Sequence, residues 1–144
     1  MQQPNDTYQI VWLTRRLFRT MAQKSNDSLK DLDITVADRA VLEFLYPDEK
    51  LSVPEIAQRY QVSRQHVQVT VNGLLESGNL ATKSNPRHKR SPLIALTSKG
   101  RALFRKIKKR DSSIVNRIFA EVPEIDRRVT RKTLETLLAQ LNGL

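Results

Sequence analysis

Apolar residues return every three or four positions along most of this chain, and the places where that rhythm breaks divide it into elements. Between Thr7 and Lys24 the residues Ile10, Leu13, Leu17 and Met21 recur at helical spacing, with Val11 and Phe18 beside them, and predict a long amphipathic helix. The polar stretch from Ser25 to Asp33 is expected to break it. A second helix is expected from Thr35, whose hydroxyl suits an N-cap with Asp38 three residues on. Val36, Ala37, Ala40, Val41, Phe44 and Leu45 would then face inward, until Pro47-Asp48 ends the helix.

The next stretch carries the sharpest local signals. Ser52-Val53-Pro54-Glu55 reads as a capping box with proline in the first helical turn, where its missing N–H is harmless. A short helix through Ile56, Ala57 and Tyr60 follows, then a turn around Gln61-Val62 and a second cap at Ser63. Val67, Val71, Leu74 and Leu75 make one apolar stripe that runs to Gly78, the expected left-handed stop. Two short helices joined by a tight turn, the second longer, predict a helix-turn-helix.

Beyond Gly78 the period shortens to that of strands. Leu80 to Lys83 and Leu93 to Leu96 are strand-like runs separated by SNPRHKRSP, residues 84 to 92, and Thr97-Ser98 caps a further helix. A hairpin placed directly after a helix-turn-helix is a wing. A basic helix is predicted from about Ser98 to Ala120, with Leu103, Ile107, Ile114 and Ile118 as its buried stripe. A last helix, from about Pro123 to Asn142, carries Ile125, Val129, Leu134, Leu137, Leu138 and Leu141.

The expected fold class is therefore mainly α with a small β-hairpin wing. Residues 1–144 form a single domain in this reading, with a winged helix-turn-helix lobe at 35–97 and a dimerisation region made of 7–24 with 98–144. A winged lobe has no need of the flanking helices, and their leucines must be buried against something. A second copy of the chain is the economical answer, since paired terminal helices build a symmetric interface.

Composition narrows the function. Hydrophobic residues at 39% and charged residues at 28% are typical of a folded globular chain. No charged start followed by an apolar run and no long apolar stretch is present, which predicts a soluble, cytoplasmic protein with no membrane partner. The absence of cysteine removes disulfides, thiolate metal sites and thiol-based sensing together. The net charge is +10, and its placement matters more than its size. Between Ser77 and Arg110 there are 11 Lys and Arg and no acid, while the remaining 14 basic and 15 acidic residues nearly cancel. Cations clustered in this way suit a polyanion, because they release counterions condensed on phosphates; the plainer reading is a solvated basic face.

The order of parts resembles the MarR family of bacterial and archaeal transcription regulators. Three stretches carry the likeness: ITVADRAVLEFL at 34–45, LSVPEIAQRYQVSRQHVQVTVNGLLESGNL at 51–80, and LIALTSKGRAL at 93–103. The resemblance implies a two-fold homodimer with intertwined terminal helices and a recognition helix from each subunit in successive major grooves. It also implies a pseudo-palindromic operator with half-sites about ten base pairs apart. A small-molecule effector is implied as well, bound between the DNA-binding lobe and the dimer helices, with Trp12 as a candidate wall. In one place the chain departs from the pattern. The family commonly has Asp-x-Arg in the wing, where the Asp orients an Arg that enters the minor groove; those positions here are His88 and Arg90.

Double-stranded DNA is thus the expected partner, and the candidate contacts follow from helix geometry. If Val67, Val71 and Leu74 face the core, then Gln65, Val69 and Asn72 lie on the far side, with His66 and Gly73 beside them. Gln65 suits paired hydrogen bonds to an adenine edge, Val69 a thymine methyl, and Arg64 and Gln68 either phosphate or guanine. The wing offers Arg87, His88, Lys89 and Arg90, and Arg90 is the first choice for minor-groove insertion. Simple surface placement is the alternative for each, although an exposed Val has no such ordinary explanation. Lys99, Arg101, Lys106, Lys108, Lys109 and Arg110 read as a solvated helix face, and Tyr8 and Trp12 as dimer packing.

Enzyme readings are weak: no cofactor, metal ligand set or catalytic residue is expected. His66 and His88 are the only histidines, and neither a Gly-rich phosphate loop nor a Gly-x-Ser-x-Gly nucleophile motif occurs. The reading reached is a homodimeric repressor released from its operator by a small ligand. The alternatives are a sequence-tolerant nucleic-acid-binding module and, remotely, a small hydrolase.

Overall fold

The computed structural model describes residues 5–144. Asn5 caps the first helix, α1 (Asp6–Leu29), by accepting a hydrogen bond from the Thr7 N–H. The helix does not break at Ser25 as its polar sequence suggests. It continues to Leu29, which is only 2% exposed, and the backbone then tightens into a 3-10 turn over Lys30–Leu32 before Asp33 turns left-handed. Burial of one leucine carries the helix through residues that have no helical stripe of their own. The Ser25 hydroxyl accepts from Arg39 at 2.6 Å, which ties this last turn to the following helix.

The next helix, α2 (Val36–Leu45), opens with the expected box: the Asp38 N–H donates to Thr35 Oγ1 at 3.1 Å and the Thr35 N–H to Asp38 Oδ2 at 2.9 Å. Its core face is Val41, Leu42 and Leu45, whereas Val36 in the first turn is exposed. A two-residue strand, β1 (Leu51–Ser52), leads into α3 (Val53–Tyr60); Gln61 adopts left-handed φ, and α4 (Arg64–Glu76) begins after the Ser63 cap. Two strands follow, β2 (Leu80–Lys83) and β3 (Leu93–Leu96), at the positions the sequence predicts. The sheet has three strands rather than two, in the order β1-β3-β2, because Leu51 pairs with Ile94 and Ser52 with Leu93 on the far edge of β3. So short a strand leaves no alternation to read.

The chain divides into two compact units, one ending at Ile107 and the other running from Lys108 to Leu144. The core of the first gathers Leu29, Leu42, Leu45, Ile56, Val67, Val71, Ile94, Phe104 and Ile107, with Tyr46 tilted against Phe104 at 5.0 Å between ring centroids. The long helix α5 (Ser98–Phe119) runs from the first unit into the second, and α6 (Glu124–Asn142) completes the second. The expected stripe on α5 is half correct. Ile107 is buried and Leu103 partly so, Phe104 joins them, and Ile114 and Ile118 are exposed. Helix α6 has no buried residue, and Tyr8, Ile10, Trp12, Leu17 and Phe18 on α1 are exposed as well.

The Leu96-Thr97-Ser98-Lys99-Gly100 segment fastens α5 to the end of α4. Three successive carbonyls after α4 are each taken by it. Lys99 Nζ donates to the Ser77 carbonyl, the Thr97 hydroxyl to that of Gly78 at 2.6 Å, and the Thr97 N–H to that of Asn79 at 3.1 Å. Thr97 Oγ1 in turn accepts from the Gly100 N–H at 3.1 Å, satisfying a donor in the first turn of α5. Gly100 is required for another reason: a Cβ there would lie 2.1 Å from the Asn79 carbonyl oxygen. At mid-helix Gly73, by contrast, a Cβ would have nothing within 4 Å.

Two stability predictions follow from these positions. Gly100→Ala should lower unfolding free energy by about 2 kcal/mol or more, and Gly73→Ala should raise it by about 0.5–1 kcal/mol. Urea melts of the two variants should therefore move in opposite directions from wild type. The second prediction concerns the box on α3. Glu55 Oε2 accepts from the Ser52 N–H at 2.7 Å and the Ser52 hydroxyl at 3.0 Å. These bonds, with smaller help from the charges of Arg59 and Arg87, hold the Glu55 pKa below its ordinary value against desolvation. A depressed carboxyl pKa stabilises the fold above the ordinary glutamate range, and the contribution is lost as pH falls through the lowered value. Glu55→Gln should be the less stable protein near neutrality and converge with wild type in acid. A gap that stays constant down the acid limb would show that the carboxylate does not hold this cap.

Candidate nucleic-acid interface

One end of the first unit presents α4 and the β2–β3 loop side by side. The buried side of α4 consists of Val67, Thr70, Val71 and Leu74, and Thr70 satisfies its hydroxyl on the His66 carbonyl at 3.1 Å. With that side fixed, helical geometry turns Arg64, Gln65, His66, Gln68, Val69 and Asn72 outward, and all six are exposed. Val69 is 68% exposed, far more than an apolar side chain gains anything from in water. Gln68 Nε2 donates to Asn72 Oδ1 at 2.9 Å, so these two amides stand as one interlocked pair, one helical turn apart. The His66 ring, in the first turn of α4, lies 6.5 Å from that of Tyr60 at the end of α3.

The loop is the second half of the surface. Its last ladder pair is Lys83 with Leu93, which leaves residues 84–92 beyond the strands. Arg87, His88, Lys89 and Arg90 are exposed along it, and Asn85 and Ser91 are half-buried. Two backbone turns shape the tip: the His88 N–H donates to the Asn85 carbonyl at 3.2 Å, and the Ser91 N–H to the His88 carbonyl at 3.0 Å. The Asn85 side chain spans both, accepting from the Arg87 N–H at 3.1 Å and donating to the Ser91 carbonyl at 2.9 Å. Sequence reasoning passed over Asn85; its position directly before Pro86 in a turn-rich stretch was the signal that marked it.

Between loop and helix lies an open cleft of about 730 Å³ whose walls include Lys50, Arg64, Arg87, His88 and Arg90, with Glu55 its one acid. A smaller cleft of about 350 Å³ places Arg64, Gln65 and Gln68 opposite Arg90. The predicted helix and loop residues therefore converge on one surface. Hydrogen-bonding amides and an apolar contact stand on the helix, with cations beside them. Trp12 is elsewhere, on the exposed face of α1, with the Arg16 guanidinium 4.7 Å above its ring. Among the described residues no group of three or more acids or histidines is placed to hold a metal, and no helix is long and apolar enough to cross a membrane.

Comparison with known proteins agrees with this arrangement. The MarR family model matches residues 32–91, from just before α2 to the loop that follows β2. An uncharacterized protein of Mycobacterium tuberculosis is 30% identical over 140 residues, which cover 96% of this chain and 91% of that protein. Among solved structures, a MarR family transcription regulator superposes with a TM-score of 0.89 at 22% identity, covering 96% of this chain and 91% of its own. Streptococcus pneumoniae FabT, solved in complex with DNA, has a TM-score of 0.83 at 18% identity, with 95% and 98% of the two chains covered. At those identities the structural likeness establishes the fold, and the family match spans the helix-turn-helix and the first strand and loop of the wing. The chain belongs to the MarR family of transcription regulators.

Proposed function

We propose that the protein is a homodimeric, sequence-specific double-stranded DNA-binding repressor, released from a pseudo-palindromic operator by a small ligand. The observation that carries this reading is the outward face of α4, where Gln65, Gln68, Val69 and Asn72 lie exposed together beside Arg64 and the cationic wing. Amides and a lone valine can read base edges and a thymine methyl in the major groove, where each base pair has a distinct pattern. Arg87, His88, Lys89 and Arg90 supply the wing, with Arg90 the residue that enters the adjacent minor groove. Two copies related by a two-fold axis place two such helices on half-sites about ten base pairs apart. Bound there, the dimer occludes transcription; a ligand that favours a different spacing of the recognition helices lowers operator affinity.

Selection of bound duplexes from a random pool tests the reading directly. It should return a palindrome of fixed spacing, while a featureless pool with a steep salt dependence would mean a sequence-tolerant module instead. On the selected operator, Val69→Ser should lower affinity and relax preference at a single base step by about 1–3 kcal/mol. Its thermal midpoint should not move, since little of Val69 is buried. Arg90→Ala should reduce the slope of log affinity against log salt by about one unit. Sedimentation at micromolar protein should give the mass of two chains, and a single-chain mass would remove the dimer from the proposal.

A further inference from the structure

The loop beyond the Lys83–Leu93 pair is longer than the two to five residues that usually close a hairpin, and its tip is a cluster of like charges. The cations Arg87, Lys89 and Arg90, close together in the chain, repel one another and favour an open, mobile loop unless something gathers the backbone. No acid stands among residues 84–92 to do so, and His88 brings no anion to the tip. Yet the backbone of the tip is closed by hydrogen bonds, and a single neutral side chain, that of Asn85, makes two of them.

We propose that Asn85 is the positioning residue of the wing, fixing the turn that aims Arg90. This rests on the reading above in which the wing reaches DNA. Asn85 accepts the His88 N–H on its own carbonyl and the Arg87 N–H on Oδ1, at 3.2 and 3.1 Å, and donates from Nδ2 to the Ser91 carbonyl at 2.9 Å. The amide orientation is settled by its partners, since an N–H requires an acceptor and a carbonyl a donor. Arg90 is a central residue of the His88–Ser91 turn; the Asn85 main-chain carbonyl holds the His88 end, and the Asn85 side chain holds the Ser91 end while bracing the preceding turn at the Arg87 N–H. Pro86 adds to the grip by presetting the backbone of the preceding turn. Order is thereby obtained without a carboxylate at the tip. No carboxylate stands within the tip itself, the Glu55 charge reaching Arg87 from across the cleft, and the organising bonds do not titrate.

The test is a double-mutant cycle on the selected operator, read by anisotropy alongside thermal midpoints, with Asn85→Ala, Arg90→Ala and the pair. Asn85→Ala should weaken binding about fivefold to tenfold with its midpoint unchanged, because the bonds it removes lie in an exposed loop. The pair should bind no worse than Arg90→Ala alone, since a misaimed arginine and a missing one lose the same contact. Combined with Arg64→Ala on α4, Asn85→Ala should multiply in the ordinary independent way. Independent multiplication with Arg90→Ala, full affinity in Asn85→Ala, or a large fall in its midpoint would each overturn the assignment while leaving the wing on the DNA. If Arg90→Ala itself binds like wild type, the wing reading falls and this inference falls with it.

Discussion

The feature on which the most else depends is the contact between Gly100 and the carbonyl of Asn79, because α5 can start where it does only if residue 100 has no side chain. Around that contact the Thr97 and Lys99 donors take the carbonyls of Ser77, Gly78 and Asn79. Three elements are set at this one place. Helix α4 ends there, with Gly78 at φ 77°; the hairpin closes there through the Leu80–Leu96 pair; and α5 begins there. Left uncapped, those carbonyls would each forgo a hydrogen bond, at a cost of about 1–3 kcal/mol for any that is buried. The segment from Leu96 to Gly100, part of one of the three stretches that carry the family likeness, is therefore structural. It touches none of the residues proposed to read DNA, but fixes the end of the helix that carries them and the base of the wing beside it.

A consequence is that the two halves of the proposed interface are held in different ways. Helix α4 is rigid by packing: a fully buried stripe on one side leaves the other side no freedom to roll, and so the exposure of Gln65, Val69 and Asn72 is dictated by Val67, Val71 and Leu74. The tip of the wing has no such stripe. Its strands are fixed at the base, but residues 84–92 lie past the last ladder pair and must be ordered by bonds among themselves. Packing can hold a helix through temperature and salt with little change, whereas a loop of cations depends on a few polar contacts. The helix is suited to reading bases and the wing to following the backbone and the minor groove.

How much of this was legible in the sequence follows the same division between local and distant causes. The boxes at Thr35–Asp38 and Ser52–Glu55, the cap at Ser63 and the left-handed Gly78 are local chemistry, and each stands where its residues predict. The outward face of α4 was equally legible, because a stripe with one buried side determines the other. What sequence could not reveal depends on partners far along the chain. Leu29 extends α1 because the core accepts it, β1 exists because β3 offers an open edge, and Phe104 joins the buried side of α5 where Tyr46 meets it. Asn85 was hidden differently: its place before Pro86 marks a turn, but only the positions of Arg87 and Ser91 reveal that its amide joins two turns.

The terminal helices pose the remaining physical question. Helix α6 runs 19 residues with none buried, and Val129, Leu134, Leu137, Leu138 and Leu141 are exposed along it. Its ion pairs, Arg128 with Glu124 and Arg131 with Glu135, are solvent-facing pairs one turn apart, each worth a few tenths of a kcal/mol. Such pairs cannot offset the exposed leucines, since covering even one of them gains about 1.5–3 kcal/mol. Helix α1 has the same character, exposing Ile10, Leu13, Leu17 and Phe18. Apolar surface of this extent is not left to water in a stable chain. A second copy covers it most simply, since each chain brings the same exposed faces and a two-fold axis sets like against like. In the proposed dimer, then, the apolar residues that one chain leaves uncovered are what fix the distance between two recognition helices, and any ligand that alters their packing alters that distance.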